Sequence, residues 1–340
     1  MPSLAVVYLA FGKRDFHRQC CYSVYSLLQH CSGDFHVFVF TDDVAFFDRY
    51  LKESHISFIS LSEEDLSRMR GTVDFINRTK IAVIDRLISS NPQTEVVVFI
   101  DSDTVITGDL TVLAARVDSQ HSLFHCDEFF FNELENLPVS NLTKQLYLEV
   151  SSGKISFALT DQSHVMTTTF LARNTGIVGI HRSNHHLLAY VFDLTDAIYS
   201  RVKHHTAEQL AFSYILSRYT NALTCEDIVF HYWNSVQKTI MKRSLLKIFR
   251  NSKFDKLSYE NKRKHIAQGF QDHIRSVKSF SNKYLERSIE LLNNDELVEG
   301  YLYAIRAFIT QPKTASIFAA DILHHTKRIL QKLQLGKFRH

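Results

Sequence analysis

The chain has 340 residues, and its 39 Lys and Arg nearly balance 36 Asp and Glu, leaving a formal charge of +3. At about 150 residues per domain the length suggests roughly two domains, and a 45% apolar fraction is ample for a core. A 22% charged fraction at near balance argues against wholesale disorder and against a nucleic-acid binder that works by global charge.

Residues 4–11 are a compact apolar run, the mark of a buried strand. Residues 20–30 carry apolar side chains at helical spacing. Phe35–Thr41 is a second buried strand, closed by Asp42-Asp43, and 54–61 fits a shorter third. Ser62-Glu-Glu-Asp65 has the pattern of a capped helix start, and 79–89 is helical. Residues 95–101 (EVVVFID) give the strongest strand signal, followed by a helix over 110–117 and a strand over 121–128. This alternation predicts an α/β fold, a mostly parallel sheet with helices on both faces, with ligands bound at the carboxyl ends of the strands.

The composition changes near residue 238. Ten of the 27 residues from Lys238 to Lys264 are Lys or Arg, and beyond Ser281 the pattern is helical only. The expected organisation is an α/β domain over 1–240, a basic linker or amphipathic region over 241–280 and a helical hairpin-like tail over 281–340. In the tail, 286–297 and 299–310 predict a helical hairpin and 315–335 a further helix. The run from Tyr303 to Pro312 resembles the second helix of a tetratricopeptide unit, although one unit does not make an array. In the basic stretch Met241, Leu245, Leu246, Ile248 and Phe249 interleave with Lys242, Arg243, Lys247 and Arg250. Such a stretch suits either a solvated linker or peripheral contact with an anionic membrane surface.

Ten Gly and four Pro are few for this length. No G-x-G-x-x-G, no P-loop and no G-x-S-x-G elbow occurs, which argues against nicotinamide enzymes, P-loop nucleotidases and elbow-type serine hydrolases. Five Cys, an odd number with no C-x-x-C, point to a reducing compartment. Residues 4–11 are too short for a signal peptide or a span, so a cytoplasmic protein is the expectation.

The chemistry centres on Asp101-Ser102-Asp103. Two carboxylates two residues apart at a strand end reach one hard divalent cation, which can in turn bridge to a diphosphate. The segment 96–110, VVVFIDSDTVITGDL, resembles the Asp-x-Asp segment of GT-A glycosyltransferases, especially the glycogenin-like and lipopolysaccharide galactosyltransferase group, family 8. Three later segments agree in order: Asn174-Thr-Gly176-Ile-Val-Gly179, Glu208-Gln209-Leu-Ala-Phe212 and Val229-Phe-His231-Tyr-Trp233. The resemblance covers roughly residues 1–240.

It implies a nucleotide-sugar donor, commonly a UDP-sugar, and Mn²⁺ or Mg²⁺ held by Asp101, Asp103 and His231. The base and ribose would lie near Ala10, Phe11 and Gly12, with Lys80 or Arg78 on the phosphates or ribose. Asn174 would bond a sugar hydroxyl. Glu208 and Gln209 fall at the family's donor-side or catalytic polar pair, where Asp is commoner than Glu. Asp161-Gln162 is a second acid-amide candidate. The family's His-x-x-Gly-x-x-Lys run departs here, with Asn234 and Gln237 at the Gly and Lys positions, so Lys238 is the candidate phosphate contact. Retention of configuration is implied by the resemblance. An inverting enzyme would need a carboxylate base, for which Asp127, Glu128 and Asp161 come first. Asp127-Glu128, beside Phe129-Phe-Phe131, is also a candidate acceptor-pocket lining. The acceptor, whether glycan, lipid-linked or protein, is not specified by sequence.

Two competing readings remain at this point. Asp101-x-Asp103 also fits the first motif of haloacid dehalogenase phosphatases, which normally stands on the first strand. A non-catalytic sugar-nucleotide-binding or scaffold protein would use the helical tail to recruit a partner. The pairs His121/His125 and His181/His185 lie in strand or loop segments and are expected to be structural.

Overall fold

The computed structural model describes residues 3–137, 139–159, 162–279, 283–293, 296–312, 323 and 326–327. Asp161 and nearly all of the helix expected over 315–335 lie outside the described residues. The chain forms two compact units: Met1–His231 with Ser244–Gln271, and Tyr232–Arg243 with Asp272–His340.

In the first unit, β1 (Leu4–Ala10) is apolar at every position and buried on both faces, so it becomes a central strand. The helix α1 (Arg14–His30) follows, then β2 (Phe35–Thr41), α2 (Val44–Tyr50) and β3 (Ile56–Ser60). Next come α3 (Glu63–Arg70), α4 (Arg78–Ser90) and β4 (Val96–Ile100). The predicted cap is present: Ser62 accepts from the Asp65 amide at 3.1 Å, and Asp65 accepts from the Ser62 amide at 3.0 Å.

The short β5 (Thr104–Ile106) and α5 (Leu110–Ala114) lead into β6 (His121–Phe130). An excursion of α6 (Asn141–Ser151), β7 (Ser156–Leu159) and β8 (Gln162–Val165) separates β6 from β9 (Leu171–His181). Then come α7 (Leu187–Arg201), α8 (Ala207–Tyr219), β10 (Asn221–Thr224) and β11 (Val229–His231).

Seven strands make one sheet in the order β10-β6-β9-β4-β1-β2-β3. Strands β1 to β4 pair in parallel and β10 pairs in parallel with β6, whereas β9 runs antiparallel between β4 and β6. The sheet is thus α/β and mostly parallel, as expected, with one reversed strand that the alternation of elements did not reveal. One main core joins β1, β2, β4, β6 and β9 to α4, α7 and α8.

Burial of His204, just after α7, makes this core sensitive to acid. Its Nδ1 faces Thr206 Oγ1 at 2.8 Å and its Nε2 faces Thr143 Oγ1, at the start of α6, at 3.2 Å. Burial, and next the neighbouring His205, lower its pKa from 6.5 to about 4. The folded state therefore holds the neutral ring and the unfolded state takes the proton first. Stability is full above 6.5 and falls as the pH drops toward about 4, by roughly 3 kcal/mol for the whole shift. Urea midpoints measured across this window should fall for the wild type and fall by less for His204→Asn.

Two helices, α9 (Ser235–Phe249) and α10 (Ser252–Asp255), precede the long α11 (Tyr259–Ser279). On α9 the side chains of Met241, Leu245 and Phe249 are buried. Leu246 and Ile248 on the same helix are half-buried. No described helix is long and apolar enough to cross a membrane.

In the second unit the hairpin of α12 (Lys283–Asn293) and α13 (Leu297–Thr310) is close to expectation. Leu285, Ile289, Leu292, Ala304 and Ala307 are buried, and Ser288 Oγ donates to Gly300 O at 2.8 Å.

Candidate metal and donor site

The site grows from the carboxyl end of β4, where the chain leaves the sheet as Asp101-Ser102-Asp103. Three bonds hold this turn. The Asp101 amide donates to Gly176 O at 2.8 Å, Ser102 Oγ donates to Leu9 O at 3.0 Å, and Thr104 Oγ1 donates to Asp101 O at 2.9 Å. Ser23 Oγ lies 2.6 Å from Thr104 Oγ1 and 3.1 Å from Tyr8 OH. Because Thr104 spends its proton on Asp101 O, Ser23 donates to Thr104 and Tyr8 donates to Ser23. A buried hydroxyl chain thus ties α1 and β1 to the turn.

His231 arrives by strand pairing. β11 runs antiparallel to β5 with His231 opposite Thr104, next to Asp103. The Nε2 atom lies 3.3 Å from Asp103 Oδ1. One ligand atom from each of Asp101, Asp103 and His231 falls within 4.8 Å of the others, and this is the only such group among the described residues.

The reversed strand β9 supplies the surroundings of the imidazole. Asn174 Oδ1 accepts from the Gly176 amide at 2.9 Å and lies 3.0 Å from His231 Nδ1. Asn174 Nδ2 donates to Glu128 Oε1 at 2.9 Å, and Gln209 Nε2 donates to Glu128 Oε2 at 2.7 Å. The β6–β9 register shifts between Phe124 and Cys126 and again between Asp127 and Phe129, the second shift falling at Glu128. Gly176 has to be glycine, since a Cβ there would overlap the His231 ring. Burial raises the Glu128 carboxyl above its usual range, against the bonds from Asn174 and Gln209.

The neighbouring position, Thr175, points to a different cluster. Lys80, buried on α4, donates to Thr175 O at 2.9 Å and Thr175 Oγ1 at 3.2 Å. Its Nζ also lies 3.0 Å from Glu208 Oε1 and 3.3 Å from Asp101 Oδ2. Burial works against the Lys80 charge, yet the Asp101 and Glu208 carboxylates hold its pKa above the ordinary value. One ammonium is shared by two carboxylates, so the Asp101–Asp103 pair keeps net negative charge.

That donor set fits a divalent cation. Two carboxylates and an imidazole suit Mn²⁺ or Mg²⁺, and a bond at Nδ1 leaves Nε2 on the side of Asp103. His125, whose ring meets His231 edge to face at 5.2 Å, uses Nε2 on Val229 O at 3.1 Å. Burial first, then His231, lower its pKa to about 4. His121 bonds Asp118, His181 bonds Ser183 and His185 bonds Asp85.

The other sequence candidates stand as follows. Ala10 is buried and Phe11 half-buried, while Gly12 is exposed with φ +81 and open space where a Cβ would sit. The Gly12 amide donates to Asp42 Oδ2 at 2.8 Å, and Asp42 Oδ1 bonds the buried His17 at 2.7 Å. Neither Asp42 nor His17 is among the site residues expected from sequence. A polar residue closing β2 beside the β1 loop was the available signal. Arg78 is turned to Asp196 at 2.8 Å and to Met69 O at 3.0 Å. Asp127 accepts from Arg173 Nε at 2.7 Å. Lys238 lies on α9 in the second unit.

No family model matches the chain, and no curated protein matches it. Among solved structures it is similar to the galactosyltransferase LgtC in complex with donor and acceptor sugar analogs. That likeness has 14% identity over 64% of this chain and 72% of that one, with a TM-score of 0.41. It is also similar to the WbbM bifunctional glycosyltransferase in its apo form, at 14% identity and a TM-score of 0.40. There it covers 65% of this chain and 38% of the other. At this identity and fit neither likeness assigns a role to any residue of this chain.

Proposed function

We propose that the chain is a metal-dependent glycosyltransferase of GT-A type. It would move a hexose from a nucleotide-diphosphate sugar, commonly a UDP-sugar, to a glycan, lipid-linked or protein acceptor with retention. The observation that carries this reading is the convergence of Asp101, Asp103 and His231 at the carboxyl end of β4. The order of the Asp-x-Asp, Asn-x-Gly, acidic-Gln and late His segments supports it.

In this reading Asp101, Asp103 and His231 hold Mn²⁺ or Mg²⁺. When bound, the cation supplies Lewis-acid stabilisation of the charge on the departing nucleoside diphosphate. The chain's own groups bind and orient. The β1 loop at Ala10, Phe11 and Gly12 receives the nucleoside, and Lys80 sets the charge and position of Asp101 and Glu208. Gln209 and Glu208 line the donor side, with Asp161 and Lys238 as further candidates. The bond from the sugar carbon to the diphosphate breaks, a bond to the acceptor oxygen forms, and the acceptor hydroxyl loses its proton.

Trp233, the only tryptophan, is 54% exposed and two residues from His231, so its fluorescence is a local probe. UDP titrated with Mn²⁺ should change that signal and raise the melting temperature, while UDP alone should do neither. Ligand at about 100 times its dissociation constant should add roughly 2.7 kcal/mol. Equal responses with and without Mn²⁺ would remove the metal from the reading. No response to UDP, GDP, CMP or dTDP would remove the nucleotide-sugar donor.

A further inference from the structure

The geometry points to Glu128 and Asn174 as positioning residues that fix which nitrogen of His231 carries the proton. This inference rests on the metal reading of Asp101, Asp103 and His231. An ionised carboxylate only accepts hydrogen bonds, so Glu128 compels Asn174 to present Nδ2 to it at 2.9 Å. The Asn174 amide is thereby oriented with Oδ1 turned the other way. The Gly176 amide, which can only donate, selects the same orientation at 2.9 Å.

Asn174 Oδ1 is 3.0 Å from His231 Nδ1, and an oxygen acceptor there requires Nδ1 to be the protonated nitrogen. The lone pair of the neutral ring is then on Nε2, which faces Asp103 at 3.3 Å. Gln209 completes the relay by donating to the other Glu128 oxygen at 2.7 Å. A chain of four side chains, from α8 through β6 and β9 to β11, thus sets the tautomer that a metal ligand needs. The four residues come from three of the four separated sequence segments and from the acidic pair ending β6.

The relay engages the Asn174 oxygen and one of its two Nδ2–H groups, so it is compatible with a sugar contact through the other. It also gives an acceptor-only carboxylate at 128 a task separate from proton transfer.

The test uses the whole chain labelled with ¹⁵N-histidine and read without metal in mildly alkaline buffer, with Mn²⁺ affinity measured separately by electron paramagnetic resonance. Wild-type His231 should show the Nδ1–H tautomer. Asn174→Leu, which keeps the branching at Cγ, should shift it toward Nε2–H and weaken Mn²⁺ binding about 10- to 100-fold. Glu128→Leu should do the same to a lesser degree, because Gly176 still holds the amide. Glu128→Gln should keep the tautomer, since its oxygen can still accept from Asn174 while Gln209 turns over to accept from its nitrogen. This variant also isolates the effect of losing the charge.

The order Asn174→Leu, then Glu128→Leu, then Glu128→Gln in tautomer shift supports the relay. A wild-type ring already protonated on Nε2, or one that keeps Nδ1–H in Asn174→Leu, overturns it. Mn²⁺ failing to bind the wild type overturns the metal reading instead, and the tautomer measurement still decides the relay.

Discussion

Lys80→Ala is expected to lower the stability of the first unit by about 3–5 kcal/mol, the largest single-site loss anticipated here. The Lys80 side chain is 9% exposed and its partner Glu208 4% exposed. Removing the ammonium leaves the buried Glu208 carboxylate with the bond from Thr175 Oγ1 but without the cation beside it, and takes the same cation from Asp101, next to Asp103. The hydrogen bonds to Thr175 disappear at the same time. The loss should show as a lower urea midpoint with little change in slope. A double variant, Lys80→Met with Glu208→Leu, should recover most of the stability, because a buried pair replaced as a unit is often neutral. If Lys80→Ala unfolds at the wild-type midpoint, Lys80 is not holding the two carboxylates.

The second large effect concerns Asp103. Asp103→Asn is isosteric, so the metal-free protein should melt at or slightly above the wild-type temperature, since one of two neighbouring negative charges is gone. The stabilisation by Mn²⁺ should vanish, with affinity falling about 100-fold or more, beyond what loss of a supporting partner costs. His231→Ala should weaken the metal less than this, because two carboxylates remain. Calorimetric titration of Mn²⁺ into both variants checks the ranking. An Asp103→Asn protein that binds Mn²⁺ like wild type would mean that the cation, if any, sits elsewhere.

Much of the fold could be read from sequence, for reasons that differ between elements. The strands β1, β2 and β4 are apolar at nearly every position, and short runs of that kind rich in Val, Ile and Phe fit strands buried on both faces. The Ser62–Asp65 capping box is local chemistry and needs no tertiary context. The Asp-x-Asp turn and His231 were legible because their residue types are few and their order is informative. What lay hidden depends on direction and contact. Nothing in residues 171–181 distinguishes a parallel strand from an antiparallel one. The basic amphipathic pattern of 238–249 does not show which of its apolar side chains are buried, as Met241 and Leu245 are. A sequence does not show that Glu208, more than a hundred positions after Lys80, reaches the same point. That Asn174 meets Glu128 and His231 is hidden for the same reason, since both partners come from other strands.

The reversed strand β9 also bears on which changes in chain length the protein could survive during its descent. Along β9, Asn174 serves the His231 side and Thr175 serves the Lys80 side, so adjacent positions belong to different neighbourhoods. A deletion of one residue between Leu171 and Gly176 would exchange the two and bring a side chain to where glycine is obligatory. Among the described residues, the excursion from β6 to β9 contributes no side chain to the bonds of either cluster. Lineages of this chain should therefore show insertions and losses gathered between residues 131 and 170, and a stretch of fixed length immediately after.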